Sequence, residues 1–395
     1  MKKAEKSLLN KLLTSFFLSF LIVFALGGGT LFAWKFIQSG EETAPPVLTL
    51  THTTGEENEV LEEAEEENNE EEILVIDEEV TLIFGGDFLL DPDYAIMANI
   101  LLQEDGILDS IDEAILGEMI GADICALNNE FPYTLRGEPL EGKTFTFRAD
   151  PAYANLLHDI GVDLVSIANN HVFDYGEVGL TDTLAALDAA GIDRIGAGVN
   201  LDEASAPAYY EINGVKVGIV AATEIEGYEN PDTRGATESL SGVFRCLDTT
   251  NLENQIRIMK EEVDVVIVFV HWGVEGTDEL NWKQQDHAQS IVDAGADLIV
   301  GAHSHCMQPI DYIDGVPVVY SLGNFLFNSG VGETALLKIE VTPDGIENLS
   351  LIPARQGNCK VYAMTSNESS AFYAYMESIS PNITIDENGN ILQTY

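Results

Sequence analysis

The chain has few basic residues: 18 Lys and Arg stand against 67 Asp and Glu among 395 residues, a formal net charge of −49. A surface this acidic repels nucleic acid, because binding to phosphates depends on Lys and Arg. It also repels anionic polymers unless a bound cation or a local basic patch intervenes. We therefore expect no nucleic-acid partner. The acidity itself indicates either high solubility or adaptation to a salty, cation-rich medium.

Cysteine is also scarce, and the four cysteines contain no C-x-x-C pair. This spacing excludes a zinc knuckle and a thioredoxin-type motif. Disulfides can form between distant cysteines outside the cell, and buried free thiols are the alternative. The sequence therefore assigns no pairing to Cys125, Cys246, Cys306 and Cys359.

The N-terminus combines a basic segment with a long uncharged one. Residues 1–11 carry four lysines and one glutamate, and residues 12–34 carry no charge. A bilayer core needs about 20 apolar residues in a helix, and basic flanks stay in the cytoplasm. We expect a cytoplasmic tail at 1–11, a transmembrane signal-anchor at 12–37, and a single-pass protein of the cell membrane with an extracytoplasmic soluble domain. The alternative is a cleaved signal peptide, whose apolar core is usually shorter, about 7–15 residues.

Three further segments complete the predicted organisation. Residues 38–72 are rich in glutamate and poor in apolar residues, so we expect an acidic disordered tether. Residues 73–360 are predicted to form the folded domain. Residues 361–395 carry no functional signal and are predicted to be a C-terminal extension of unknown role.

The folded domain alternates between apolar runs of strand length and amphipathic runs of helix length. Strands are predicted at 80–85, 123–127, 163–168, 264–270 and 297–300, and helices at 93–120, 151–160, 177–190 and 281–294. Asn213-Gly214 and Asp314-Gly315 each predict a hairpin. This alternation is typical of an α/β fold.

Polar residues follow each of the five predicted strands. They are Asp87, Glu130, Asn170, His271, and His303 with His305. Ligands of α/β sheets bind beyond the carboxyl ends of strands, so we expect these side chains to converge. Each one alone could be a helix cap or a buried polar residue, but five together favour a single site.

Carboxylate, imidazole and amide ligands together suit Mn, Fe or Zn better than Ca. Two such ions sharing a carboxylate, about 3.5–4 Å apart, can assist hydrolysis by in-line displacement. His171 lies beside Asn170 and is a candidate acid for the leaving group. Asp174 is three residues further on and is a candidate to orient His171.

Eight short motifs follow one another in the domain: Gly86-Asp87, Asn129-Glu130-Phe131-Pro132, Phe145-x-Phe147-Arg148, Ala168-Asn169-Asn170-His171-x-x-Asp174-x-Gly176, Gly196-Ala197-Gly198, His271-Trp272-Gly273-x-Glu275, Gly301-x-His303-x-His305 and Ser321-Leu322-Gly323-Asn324-Phe325. As a set they resemble the CapA/PgsA family of capsule and poly-γ-glutamate synthesis proteins, a branch of the calcineurin-like metallophosphoesterases. The resemblance spans roughly residues 80–327.

The resemblance implies a four-layer α/β/β/α sandwich with a dinuclear metal site. Asp87 and His305 would hold one metal, Glu130 would bridge, and Asn170, His271 and His303 would hold the other. His171 would be the catalytic histidine, with Asp174 beside it. Arg148 and Asn324 are expected to bind substrate. Two departures are visible: Leu89 stands where the wider superfamily has a histidine ligand, and Glu130 replaces the usual bridging aspartate.

Two functions remain open from the sequence. The first is a metallohydrolase of the cell envelope that acts on a phosphoester or on the γ-glutamyl amide of an anionic polymer. The second is a non-catalytic subunit that tethers the polymer and couples its synthesis to export, with synthase or export subunits as partners. The ligand set favours the first, while the anchor, the tether and Leu89 are compatible with the second.

Overall fold

The computed structural model describes residues 79–225 and 233–394. The predicted cytoplasmic tail, signal-anchor and tether lie outside these residues. Within the two described stretches, no helix is both long and apolar enough to cross a membrane.

Eighteen strands are present in the described residues, and most belong to two sheets. In chain order they are β1 (Val80–Phe88), β2 (Ile124–Asn129), β3 (Leu164–Ser166), β4 (Asp193–Ile195), β5 (Ala197–Gly198), β6 (Ala208–Ile212), β7 (Val215–Thr223), β8 (Gly242–Val243), β9 (Val265–His271), β10 (Leu298–Ala302), β11 (Ile310–Ile313), β12 (Val316–Val319), β13 (Asn324–Leu326), β14 (Gly332–Thr342), β15 (Gly345–Gly357), β16 (Lys360–Ala363), β17 (Ile383–Ile385) and β18 (Ile391–Gln393).

The first sheet has eight strands in the order β16-β15-β14-β1-β2-β3-β4, with β13 also paired to β1. Strands β1 to β4 are parallel, and β14 to β16 extend the sheet as an antiparallel meander. The second sheet has six strands in the order β11-β12-β10-β9-β7-β6. Its four central strands are parallel, and a hairpin strand closes each edge.

Helices connect the strands. They are α1 (Ala95–Ile100), α2 (Glu113–Gly121), α3 (Leu156–Asp159), α4 (Gly176–Ala190), α5 (Leu201–Ala204), α6 (Thr250–Lys260), α7 (Trp282–Ala294) and α8 (Ser366–Ile379), with 3₁₀ turns at Leu108–Ser110 and Pro151–Asn155. Helix α7 begins with a capping box between Asn281 and Gln284, and it ends at Gly295, whose φ of 110° suits glycine.

The central strands are buried on both faces, and the two faces belong to different cores. In β1, Leu82 and Phe84 contribute to a core between the two sheets, while Ile83 contributes to a core beneath α1, α2 and α4. In β9, Ile267 lies in the inter-sheet core and Val268 packs beneath α6 and α7. Side chains that alternate in this way place helices, sheet, sheet and helices in four successive layers.

The α/β prediction is confirmed, and the five predicted strands exist with ends shifted by at most three residues. The region predicted as one helix at 93–120 is instead α1, a 3₁₀ turn and α2, separated by irregular backbone around Gly106. The hairpins at Asn213-Gly214 and Asp314-Gly315 join β6 to β7 and β11 to β12. All four cysteines are free thiols.

The C-terminal extension is part of the fold. Phe372 and Met376 of α8, Ile383 of β17 and Ile391 of β18 are buried in the inter-sheet core. The hydroxyl of Ser380 accepts a hydrogen bond of 2.9 Å from the backbone N–H of Ile310. This segment therefore covers apolar surface that the two sheets would otherwise expose.

We expect Phe372→Ala to lower the free energy of unfolding by about 3–5 kcal/mol, because it removes a large buried side chain and leaves a cavity. Leu392→Ala is the matched control, since Leu392 is 53% exposed on β18. Denaturant unfolding of both variants measures the difference. Equal losses would show that the extension does not stabilise the inter-sheet core.

Candidate metal centre

The six predicted metal ligands meet where the carboxyl ends of the two sheets face each other. Asp87 lies in β1, Glu130 directly follows β2, and Asn170 lies in the loop after β3 of the first sheet. His271 ends β9 and His303 follows β10 of the second sheet. Each sheet thus supplies part of one cluster, which is the convergence expected for parallel strands.

Two glycines allow the backbones to approach closely at this edge. A Cβ atom on Gly86 would lie 1.8 Å from the carbonyl oxygen of Gly323, and one on Gly301 would lie 1.9 Å from that of Tyr320. Beside the first contact, the N–H of Asp87 donates to the Gly323 carbonyl at 2.9 Å. The glycine before Asp87 is therefore what lets β1 reach β13 and fixes the aspartate.

His303 and His305 both adopt left-handed backbone conformations, with φ of 99° and 57°. Such conformations cost energy for residues other than glycine and cluster at functional sites. The two residues lie in a turn that aims both imidazoles at the carboxylates.

Glu130 lies at the centre of the cluster. Its Oε1 atom is 3.6 Å from Nε2 of His271 and 3.9 Å from Nε2 of His171. Nε2 of His271 also lies 2.8 Å from Oδ1 of Asn170. These side chains are all buried.

Asp87 and His305 form the other side of the cluster. Nδ1 of His305 is 3.0 Å from Oδ2 of Asp87 and 2.9 Å from Oδ1 of Asn324. The backbone N–H of His303 donates to Oδ1 of Asp87 at 3.3 Å. Asp87 is therefore held by groups from both sheets.

The donor atoms fall into two groups suited to a metal ion. Glu130, His271 and His303 form one, and Asp87, Glu130 and His305 form the other, so Glu130 belongs to both. The buried atoms in the cluster that have no hydrogen-bond partner among the described residues include Oε1 of Glu130 and Nδ1 of His303. Buried polar atoms without partners are costly, and a cation would satisfy both. The residues present therefore fit a divalent metal.

The pKa shifts within the cluster also fit a site for a cation. Burial, with the neighbouring charge of Asp87, raises the pKa of Glu130 well above its ordinary value. Burial lowers the pKa of His303 to about 3, which keeps it neutral and able to donate a lone pair. Burial alone would lower the pKa of His305, but the charges of Glu130 and Asp87 raise it to about 10. The two buried carboxylates thus stabilise positive charge at the site.

His171 is held by a buried relay behind the cluster. Its Nδ1 lies 2.8 Å from Oδ2 of Asp174, and the ring packs on Phe147 with centroids 4.3 Å apart. Lys143 donates to Oδ1 of Asp174 at 2.6 Å and to the carbonyl oxygen of Asn170 at 2.5 Å. The Lys143 side chain is only 6% exposed, so this ion pair is buried. Nε2 of His171 is left facing Glu130.

The two predicted substrate-binding residues occupy different places. Asn324 contacts His305, so the structure places it against a candidate metal ligand. Arg148 lies away from the cluster, with its guanidinium 4.7 Å from the centroid of the Tyr175 ring and its backbone N–H bonded to Asp91. Substrate binding by either residue stays a prediction.

Three positions acquire a role that the sequence did not suggest. The amide nitrogen of Asn128 lies 2.7 Å from Oδ1 of Asp87 and 3.3 Å from Nδ1 of His271. The side chain of Asn169 bonds to Asn128 and also accepts from the N–H of His171. Lys143 is the third. Asn169 stands in the motif around His171 and Asn128 directly precedes the motif around Glu130, and those positions were the available signal.

Leu89 is buried in the core beneath the helices, and its N–H donates to the Leu326 carbonyl at 3.0 Å. The position where the resemblance to metallophosphoesterases leads one to expect a histidine ligand therefore contributes to packing.

Residues 81–329 match the family described as bacterial capsule synthesis protein PGA_cap, which is well over half of the chain. The chain belongs to this family. The resemblance to capsule and poly-γ-glutamate synthesis proteins read from the eight motifs is thereby confirmed.

Several curated relatives of this PGA_cap chain carry related names. It is 30% identical over 267 residues to the PGA biosynthesis protein CapA of Bacillus subtilis, covering 64% of this chain and 69% of that protein. It is 34% identical over 203 residues to the capsule biosynthesis protein CapA of Bacillus anthracis, covering 49% and 48%. A probable polyglutamine synthesis accessory protein of Mycobacterium tuberculosis is 28% identical over 280 residues, covering 67% and 74%.

The buried pair in this PGA_cap chain gives a direct test of the relay. We expect Lys143→Met to lower the free energy of unfolding by about 3–5 kcal/mol, because it leaves Asp174 charged, buried and unpaired. Adding Asp174→Asn should recover part of the loss. Arg257→Met is the control, since its pair with Glu253 is half exposed and is expected to contribute less than about 1 kcal/mol. Similar losses for Lys143→Met and Arg257→Met, measured by denaturant unfolding, would contradict a buried relay.

Proposed function

We propose that this chain is a membrane-anchored extracytoplasmic protein of capsule or poly-γ-glutamate synthesis whose domain carries a dinuclear metal hydrolase site. The observation that carries the hydrolase proposal is the buried cluster of two carboxylates and three histidines, with unpartnered donor atoms on Glu130 and His303. Unsatisfied buried atoms of this kind are costly unless a cation binds to them.

Asp87 and His305 would hold one ion, Asn170, His271 and His303 the other, and Glu130 would contact both. When bound, Mn, Fe or Zn would supply Lewis acidity and an activated water for hydrolysis. The side chains of Asn128 and Asn324 would keep the ligands oriented, as partners of ligands do in metal sites.

The residue proposed to move a proton is His171. Asp174 accepts the Nδ1–H, so the Nε2 atom that faces the cluster can exchange a proton with the leaving group. Burial lowers the pKa of His171, although Asp174 opposes the shift. Lys143 neutralises Asp174 and donates a hydrogen bond to the carbonyl of Asn170. These contacts fix the positions of His171 and Asn170, the two residues beside the proposed reacting bond.

The substrate is proposed to be a phosphoester or the γ-glutamyl amide of an anionic polymer, and the names of the relatives favour the polymer. The four layers, with the cluster at the facing strand ends, are proposed to be a metallophosphoesterase-like sandwich. Synthase or export subunits of the same machinery are the proposed partners, and the membrane is engaged through residues 12–37.

One observation favours a second candidate, a non-catalytic subunit that couples polymer synthesis to export. Leu89 packs in the core where the superfamily has a ligand, so the side of Asp87 and His305 has fewer donors. A cluster that binds one ion only could serve to stabilise the fold.

His171→Ala separates the two candidates. In the full-length protein loaded with Mn, it should keep the metal and lower phosphodiester hydrolysis by roughly 10²–10⁴-fold, because acid–base assistance is worth about that much. Asn170→Ala should lower metal affinity as well, since its carbonyl oxygen is a proposed ligand. Hydrolysis rates and metal content of the same samples measure both effects.

His158→Ala is the control, because His158 is an exposed histidine elsewhere in the domain. His303→Ala combined with His305→Ala should abolish the stabilisation that metal confers on the native state. A His171→Ala protein that is folded, metal-bound and as active as the wild type would rule out the catalytic role and favour the scaffold.

The topology has its own test. Protease added to intact cells should remove the domain and leave an N-terminal stub in the membrane, because the lysines of residues 1–11 precede the apolar segment. Immunoblots with antibodies against each end measure this, with lysed cells as the control. Full protection of the domain in intact cells would contradict an extracytoplasmic location.

A further inference from the structure

A cavity of about 230 Å³ opens beside His171 and Asn170. It is lined by the loop of residues 142–145, by Glu275, by the metal ligand candidate Asn170 and by His171, the proposed proton donor. A group bound in this cavity therefore lies directly beside the reacting bond of any substrate at the centre.

Lys143 lines the cavity, but its positive charge is already neutralised by neighbouring groups. Its ammonium is bonded to Asp174 and to the carbonyl of Asn170. Asp174 in turn accepts from His171 and from the N–H of Phe147. These groups neutralise one another, so Lys143 is a poor anchor for an anionic group.

The Glu275 carboxylate gives the lining of the cavity a negative charge. Its side chain is exposed and, within residues 79–225 and 233–394, has no hydrogen bond or ion pair. The turn that carries it is fixed, since the N–H of Gly276 donates to the Ser304 carbonyl at 2.8 Å and Gln308 donates to the Thr277 carbonyl at 3.1 Å. Its charge raises the pKa of both Glu130 and His305, in keeping with its closeness to the centre.

Phe145 supplies an aromatic ring to the lining of the same cavity. Its ring is 58% exposed although the loop is anchored on both sides, by Lys143 and by the bond from Phe147 to Asp174. A large apolar side chain held at the mouth of a cavity is available to a ligand. A carboxylate and an aromatic ring that line one cavity can together recognise an ammonium group, through a charged hydrogen bond and a cation–π contact.

We propose that this cavity is a subsite for a primary ammonium group of the substrate, bound between the Glu275 carboxylate and the Phe145 ring. The subsite rests on the proposed function, because it positions a substrate that reacts at the candidate metal centre. The substrate class is thereby narrowed to molecules with a free amine next to the reacting bond. Two sources share this chemistry, the amino end of a γ-glutamyl chain and an amino-alcohol phosphoester.

Paired probes test the subsite by calorimetry on the full-length, Mn-loaded protein. They are γ-linked triglutamate against its N-acetyl form, and phosphoethanolamine against ethyl phosphate. We expect the amine of at least one pair to bind roughly tenfold tighter than its amine-free partner, and that pair identifies the source. Glu275→Gln should bring the ratio close to one, and Phe145→Leu should reduce it in part. Glu279→Gln, a nearby exposed carboxylate, should leave it unchanged.

Equal binding within both pairs, or no binding of any probe, would overturn the subsite. A ratio that survives Glu275→Gln would do the same. So would a fall in Mn affinity on Glu275→Gln, because Glu275 would then be a metal ligand. Hydrolysis of an amine-free phosphodiester reports separately on the proposed function. Amine discrimination without that hydrolysis supports the subsite while counting against phosphodiesterase activity.

Discussion

The burial of two carboxylates at the facing edges of two sheets is the constraint on which the rest of the site depends. Taking a charged carboxylate out of water costs several kcal/mol even after the protein relaxes. Asp87 and Glu130 are both fully buried and share the amide of Asn128, which cannot neutralise them. Positive charge from His305 and from a bound cation would offset this cost, and the unpartnered donor atoms mark where such a cation would fit.

This constraint also explains why the sheets are locked together at the site. Asn128 of the first sheet reaches His271 of the second, and His303 of the second donates to Asp87 of the first. Rigid parallel strands hold these partners, and the left-handed backbone at His303 and His305 is maintained by the surrounding contacts. A shift of one sheet relative to the other would break the hydrogen bonds and separate the two ligand groups. The inter-sheet core, including Phe372 of the C-terminal extension, therefore supports the geometry of the site.

Much of the fold and of the candidate site could be predicted from the sequence, because both follow from periodicity. Doubly buried strands read as apolar runs, and a polar residue after such a run must lie at the sheet edge, as Asp87 and His271 do. Irregular segments carry no such signal: Lys143 lies in a loop, and its buried pair with Asp174 depends on a contact across 31 positions. The role of the C-terminal extension could not be predicted either. The sequence pattern of α8 shows that this helix is amphipathic, but it does not show which core the helix covers.

The net charge of the whole chain affects which substrate the site can bind. With 67 acidic residues against 18 basic ones, the chain repels a polyanion at long range. The one lysine at the cavity is neutralised by Asp174, and Glu275 adds a further negative charge. Near the cavity, the cations proposed for the candidate metal centre are therefore what would attract a polyanion, and its flanking anionic units are disfavoured by the acidic wall. The amino end of such a polymer carries a positive charge. The acidic wall that disfavours the anionic units of the polymer can therefore select its amino end.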